Sequence, residues 1–261
     1  MDRSYLSRPE IIAASRDFVC VRLTTYEDKE EGLFLKSFRV TRSGELENTV
    51  FTILSPDGKK QLARASRSAQ NTFGDVQRMA ETMKRIAGEY PAKKTAVLLA
   101  ELPRVRNVAL AVNVAACDNQ PLVILFAAED RVRQDLEKRL LPLAWNEPLR
   151  GRFIYVSASN AAELARIDGA RAEAGVIVVE PDRFGTKGKL LQQIGASASR
   201  DELTKCLQKA LSQHKPSDKS FGSHVRQGQL QGVFWETVLP VTDPMELRAR
   251  ERGRRLNPSR K

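Results

Sequence analysis

Thiols are the side chains of widest chemical reach in this chain, and there are three: Cys20, Cys117 and Cys206. A dithiol centre needs two cysteines a couple of residues apart, and a structural zinc site needs Cys or His ligands at short, regular spacings. Neither spacing occurs. Cys20 lies in the apolar run Phe18–Leu23, and Cys206 shares a helical stripe with Leu203, Leu207, Ala210 and Leu211. Both are expected in cores, where a thiol packs as a small hydrophobe. Cys117 precedes the turn-forming Asp118-Asn-Gln-Pro121 and is the one cysteine expected to meet solvent, hence the candidate reactive thiol. His214 and His224 stand 10 residues apart in a polar stretch, outside the expected domains and without an acidic or thiol partner at ligand spacing. No metal and no other cofactor is expected.

Carboxylate pairs occur at Glu30/Glu31 and at Glu129/Asp130, each at the start of a segment with helical periodicity. Negative charge there complements the helix dipole, so a structural role is expected of both. No Ser-His-Asp arrangement, glycine-rich phosphate loop or Gly-x-Ser-x-Gly elbow is present. Pro181-Asp-Arg-Phe-Gly185 reads as a tight turn. Enzymatic activity is therefore the less favoured reading.

The 261 residues suit two domains of roughly 100 residues each and a tail. A content of 41% hydrophobic and 29% charged residues is that of a globular chain. No apolar run approaches the roughly 18 residues of a membrane helix, and Met1–Arg8 has no signal-peptide h-region. A soluble protein with no membrane span is expected, its compartment unassigned. The formal charge is +11, and the last 17 residues hold seven basic residues (Arg248, Arg250, Arg252, Arg254, Arg255, Arg260 and Lys261) against Glu246 and Glu251. Such a tail attracts acidic surfaces without sequence preference. With 6% aromatics there is no interleaving of bases and rings, so nucleic acid is an unfavoured partner and an acidic protein a better one. Trp235, Arg250, Arg254 and Arg255 are the candidate interaction residues.

In the first half, Ser7–Arg16 predicts a helix with Ser7 as N-cap and Pro9 in its first turn, followed by a buried strand at Phe18–Leu23. Lys29–Phe38 predicts a second helix. Thr49–Leu54 and Lys60–Ala65 predict a hairpin about Ser55-Pro-Asp-Gly58. Val76, Met79, Ala80, Met83, Ile86 and Ala87 form the stripe of a long helix, and Gly88-Glu-Tyr-Pro-Ala-Lys-Lys marks the boundary. The second half predicts helix Val105–Ala116, strand Leu122–Phe126, helix Arg131–Leu141, strand Arg152–Val156, helix Asn160–Ile167, strands Gly175–Val179 and Lys189–Ile194, and helix Asp201–Leu211. His214–Gly232 reads as irregular polar chain. Val233–Val241 is an apolar island expected to pack onto the first unit.

That order resembles the thioredoxin-like fold over about Arg104–His214. The likeness is carried by Ala115-Ala-Cys-Asp-Asn-Gln-Pro-Leu-Val-Ile-Leu-Phe126, Gly151-Arg-Phe-Ile-Tyr-Val156 and Gly175-Val-Ile-Val-Val-Glu-Pro-Asp-Arg-Phe-Gly185. The first half resembles it in part, at Pro9–Val21 and Glu47–Gly58, without the first strand and redox loop. The resemblance implies an α/β chain of two thioredoxin-like sandwiches: an incomplete unit over 1–92, a domain over 93–214, and a basic extension over 215–261. It also implies where the redox loop would stand, at Ala128-Glu-Asp-Arg-Val-Arg-Gln134. Asp130 lies in that loop, and Arg131 and Gln134 occupy about the places of the family's two cysteines, where a guanidinium and an amide exclude disulfide exchange. The family's cis-proline position falls near Ala174, and near Thr49 in the first unit. A non-proline cis bond costs about 2.5–4 kcal/mol, so both are expected trans. The function implied is a non-catalytic protein-binding or scaffolding module. The alternative is a thiol-disulfide oxidoreductase whose redox motif lies upstream of this chain's start.

Overall fold

The structure is a computed structural model that describes residues 5–23, 25, 28–40, 44, 50–90, 101–217, 221–233, 248, 251, 252 and 255. The chain divides into two compact units, the first within residues 1–94 and the second beginning at Thr95.

The first unit holds four helices among its described residues. Helix α1, Pro9–Ser15, opens on Pro9, whose missing amide is no loss in a first turn. Its N-cap is Arg8, which makes no side-chain capping bond, so Ser7 does not cap it as expected. Helix α2, Lys29–Lys36, is capped by Asp28, whose carboxylate accepts from the amides of Glu30 at 2.8 Å and Glu31 at 3.2 Å. The expected hairpin exists as two antiparallel bridges, Phe51 with Ser66 and Leu54 with Gln61. At its turn the Ser55 hydroxyl and then the Lys59 amide hydrogen-bond to Asp57 and hold that carboxyl below the usual range. A short helix α3, Ala69–Phe73, leads into α4, Val76–Glu89, capped by the Asp75 carboxylate. Met79, Ala80, Met83 and Ile86 of α4 bury against Ile11, Ala14, Ile53 and Phe73, the stripe the sequence predicts.

Phe18–Leu23 is not a strand. It has no ladder partner among the described residues, Val19 and Val21 are 78% and 72% exposed, and Cys20 is exposed rather than buried. A β-prone run becomes a strand only when a neighbour satisfies its backbone groups.

The second unit is built on one mixed sheet. Its strands are β1 (Arg104–Val105), β2 (Leu122–Phe126), β3 (Ile154–Ala158), β4 (Ile167–Asp168), β5 (Gly175–Pro181) and β6 (Gly188–Gly195), in the order β1-β3-β2-β5-β6-β4. β3 runs parallel to β1 and β2, β5 is antiparallel to β2 and β6, and β4 is parallel to β6. Helix α5 (Val108–Asp118) lies against one face, and α6 (Asp130–Ala144) and α7 (Arg200–Gln213) against the other. Alternate residues of the strands serve the two faces. Leu122, Ile124, Ile177 and Val179 meet Val108, Ala111 and Val112 of α5. Val123, Leu125, Val176 and Val178 meet Leu136, Leu140, Leu203 and Leu207. Both faces are covered, which is why these strands read as unbroken apolar runs.

Three expectations need correction here. Val105 belongs to β1, and α5 starts at Val108, where the Asn107 side chain accepts from the Leu110 amide. Asn160–Ile167 is a single 3-10 turn, Ala161–Leu164, followed by β4. His214–Gly232 contains helix α8, Phe221–Leu230, which Gly232 ends at φ 69°, the Val233 amide reaching back to the Gly228 carbonyl at 2.8 Å. The outer edge of β6 is covered by β4 only at Gly188 and Lys189. Further along, the Gln193 amide takes the N–H and C=O of Arg171 at 3.0 and 2.8 Å. No described helix is long and apolar enough to cross a membrane.

Candidate functional site

Parallel strands β2 and β3 end on the same side of the sheet, and the loop leaving β2 there enters α6. Ala127 extends the pairing by one bond, its amide donating to Ala158 at 3.2 Å. Glu129 is the N-cap without a side-chain bond, and Asp130 opens the helix. Asp130, Arg131 and Gln134 are exposed at this helix start, so the structure places them together on the surface above the ends of β2 and β3.

The residue that shapes the loop is Arg133, which sequence reading passed over. Its side chain is only 18% exposed and pairs with the Asp130 carboxylate. It also donates to the carbonyls of Ala127 and, at 3.1 Å, Ala128. A guanidinium presents several donors in a fixed fork, so one side chain ties the end of β2 to the first turn of α6. The Asp130/Arg133 spacing was the visible signal; the carbonyl acceptors have no sequence signature.

Across the loop, Asn160 and Glu163 form a reciprocal cap. Glu163 Oε1 accepts from the Ser159 amide at 2.8 Å, the Asn160 side chain at 2.9 Å and the Ser159 hydroxyl at 3.1 Å. Partial burial pushes this carboxyl up, but the Ser159 and Asn160 hydrogen bonds and the positive charge of Arg133 outweigh it and hold it below the usual range. The third wall is the start of β5, where Ala174 accepts from the Ala196 amide at 2.8 Å. The bond preceding Ala174 is trans, the cis peptide among the described residues being Glu147–Pro148. Thr49 lies outside the described residues.

No thiol reaches this loop within the unit. Cys117 is exposed, as expected, but sits in the last turn of α5, next to where β2 begins and hence at the other end of the sheet. Cys206 is buried on α7, and burial pushes its thiol up. The arrangement can hold a surface shape and charge, and it carries no thiol among the described residues. Arg133→Ala should cost about 1–3 kcal/mol, because the carbonyl of the fully buried Ala127 loses its guanidinium donor. Chemical denaturation checks this, and an unchanged midpoint would show that the guanidinium holds nothing.

The other end of the sheet holds a polar cluster that corrects the reading of His214. The ring is not outside the domain: Nδ1 lies 2.7 Å from Glu180 Oε2 and Nε2 3.0 Å from the Asn119 carbonyl. Sequence reading missed Glu180 because the pairing spans 34 residues. Among the described residues no group of three or more His, Cys, Asp and Glu could hold a metal. A cleft of about 290 Å³ lies beside β1, lined by Glu101, Leu102, Arg104, Val105, Arg106 and Ser157. Its Arg104 is already engaged, with Ser157 at 3.3 Å and Glu137 at 3.2 Å. Of the tail candidates, Arg255 is exposed and helical, while Trp235, Arg250 and Arg254 lie outside the described residues. No protein-family model, no curated protein and no solved structure matches this chain.

Proposed function

We propose that the second unit is a redox-inactive thioredoxin-like platform, and that the chain serves as a protein-binding or scaffolding module. The observation that carries the reading is the loop at the end of β2. On a six-stranded sheet of order β1-β3-β2-β5-β6-β4, with one helix on one face and two on the other, that loop carries Arg131 and Gln134 and no thiol. The folded-in Arg133 supports the same conclusion, since it closes the loop with its own charge instead of opening it to a substrate. Architecture by itself assigns no activity, so the weight falls on the side chains at this position. The exposed guanidinium of Arg131 and the amide of Gln134 offer directional donors to an acidic protein surface.

Two measurements test this. In insulin reduction the full chain should match a variant with Cys20, Cys117 and Cys206 all changed to Ser. Turnover abolished by Cys117→Ser alone would replace the proposal with a monothiol centre on α5. A stoichiometric protein complex isolated from the native source should weaken at least tenfold with Arg131→Glu, the order of one charge-assisted contact. Undiminished binding would remove the loop from the interface.

A further inference from the structure

The first unit carries a cleft of its own, independent of the loop at the end of β2. Its volume is about 330 Å³, and it is bounded by the return arm of the hairpin at Leu62–Arg64, the end of α3 and the first two turns of α4. Its frame is held from behind. The buried Ser66 donates its hydroxyl to the Ser68 carbonyl at 2.8 Å and lies 2.7 Å from the Thr72 hydroxyl. Thr72 reaches the Arg64 carbonyl at 3.1 Å and so ties the hairpin arm to α3. Phe73, buried at the end of α3, sets its ring edge-on to Phe51, with centroids 6.0 Å apart.

This frame leaves hydrogen-bond donors over. The Arg64 guanidinium is exposed and has no ion-pair or hydrogen-bond partner among the described residues, and neither has the Arg64 main-chain N–H. Arg78 pairs with Asp75 through Nε at 3.4 Å, and its two terminal nitrogens meet no acceptor among the described residues. The half-buried Thr82 hydroxyl makes no hydrogen bond there either, although a helical threonine commonly returns one to the preceding turn. Glu81 lines the same cleft, is held by the Gln77 side chain at 3.0 Å, and forms no ion pair with Arg64 or Arg78. One residue beyond Arg64, the Arg39 guanidinium donates to the Ala65 carbonyl at 3.2 Å and adds positive charge nearby.

Open donors beside an excess of positive charge call for a ligand that brings acceptors and negative charge. Arg64, Arg78 and Glu81 are all exposed, so the cleft opens broadly on the surface. A small molecule there would stay largely wet, whereas an extended chain can lie across it. We infer that this cleft recognises an extended peptide of another protein that presents a single Asp or Glu side chain. The carboxylate takes the guanidinium groups of Arg64 and Arg78, a peptide carbonyl takes the Arg64 N–H, and a neighbouring apolar side chain covers Leu62 and Phe73. Glu81 repels a second carboxylate, so the site favours an isolated acidic residue over an acidic run.

NMR titration of the full chain with the capped peptide Thr-Val-Glu-Val-Thr tests this. At millimolar peptide the amides of Leu62–Arg64 and of Arg78–Thr82 should shift. Arg64→Gln, an exposed change that removes no internal bond, should weaken binding about fivefold, the upper worth of an exposed ion pair. Glu81→Gln should tighten it about twofold, and a peptide with Lys in place of Glu should give no shifts. Arg131→Glu, on the loop of the second unit, should leave the titration unchanged, so the two sites succeed or fail separately. Absence of shifts at these amides, an equal response to the Lys peptide, or parent-like binding by Arg64→Gln overturns the proposal. Shifts of the same amides with protein concentration alone would give the cleft to a second copy of the chain and overturn it equally.

Discussion

Cys206→Asp should destabilise the second unit by about 3–5 kcal/mol, the cost of an unpaired charge in a core. Cys206 is 9% exposed and sits on the α7 stripe with Leu203, Leu207 and Ala210, against Leu136 and Leu140 of α6. Burial already pushes its thiol up, with only Lys209 acting in the opposite direction. A carboxylate put there must be desolvated, or take up a proton and still lack a partner. Urea unfolding followed by Trp145 fluorescence, in a Trp235→Phe background, measures the loss. A midpoint equal to that of the parent chain would mean that this face of α7 is open to water. Cys206→Ser, nearly isosteric and uncharged, should cost much less.

An effect of similar size is expected from one methyl group. Gly175 opens β5 and pairs with Phe126 on one side and Gly195 on the other. A Cβ at Gly175 would stand 2.0 Å from the Ile194 carbonyl oxygen and 2.9 Å from its carbon. Both are backbone atoms, so no side chain can rotate away and the two strands must part. Gly175→Ala should therefore cost about 3 kcal/mol or more, with faster amide exchange in β5 and β6. Gly195, its partner, has nothing within 4 Å of the corresponding position, and Gly195→Ala should stay within about 0.5 kcal/mol. Equal stabilities of the two variants would show that the close approach at Ile194 is not fixed.

What was legible in the sequence follows from the range of the forces involved. β2 and β5 were plain because a strand covered on both faces needs apolar residues at every position. Phe18–Leu23 carries the same pattern and is solvent-exposed, since composition states what a segment could pair with and not whether a neighbour arrives. Helix α6 begins at Asp130, within one residue of expectation, but runs three residues beyond the expected end at Leu141, through Pro142. The proline removes a single amide bond close to the end, and Leu143 and Ala144 still bury. Helix α8 escaped notice because Gly222, Ser223 and Gly228 are poor helix formers. At the loop, Arg131 and Gln134 were placed by their order behind β2, whereas Arg133 acts through main-chain acceptors. His214 depends on Glu180, far away in the chain, and no local pattern announces such a contact.

The Gln193 side chain has a bearing on how this unit behaves in a crowded solution. An edge strand with free amides and carbonyls is a template onto which another extended chain can add, the first step toward fibrils. On β6 the position beside Gln193 is already filled from within: its carboxamide binds the N–H and C=O of Arg171 as a neighbouring peptide unit would. β4 fills the beginning of that edge, at Gly188 and Lys189. The carboxamide thus acts as a counterfeit peptide unit for Arg171, holding the segment between β4 and β5 against β6.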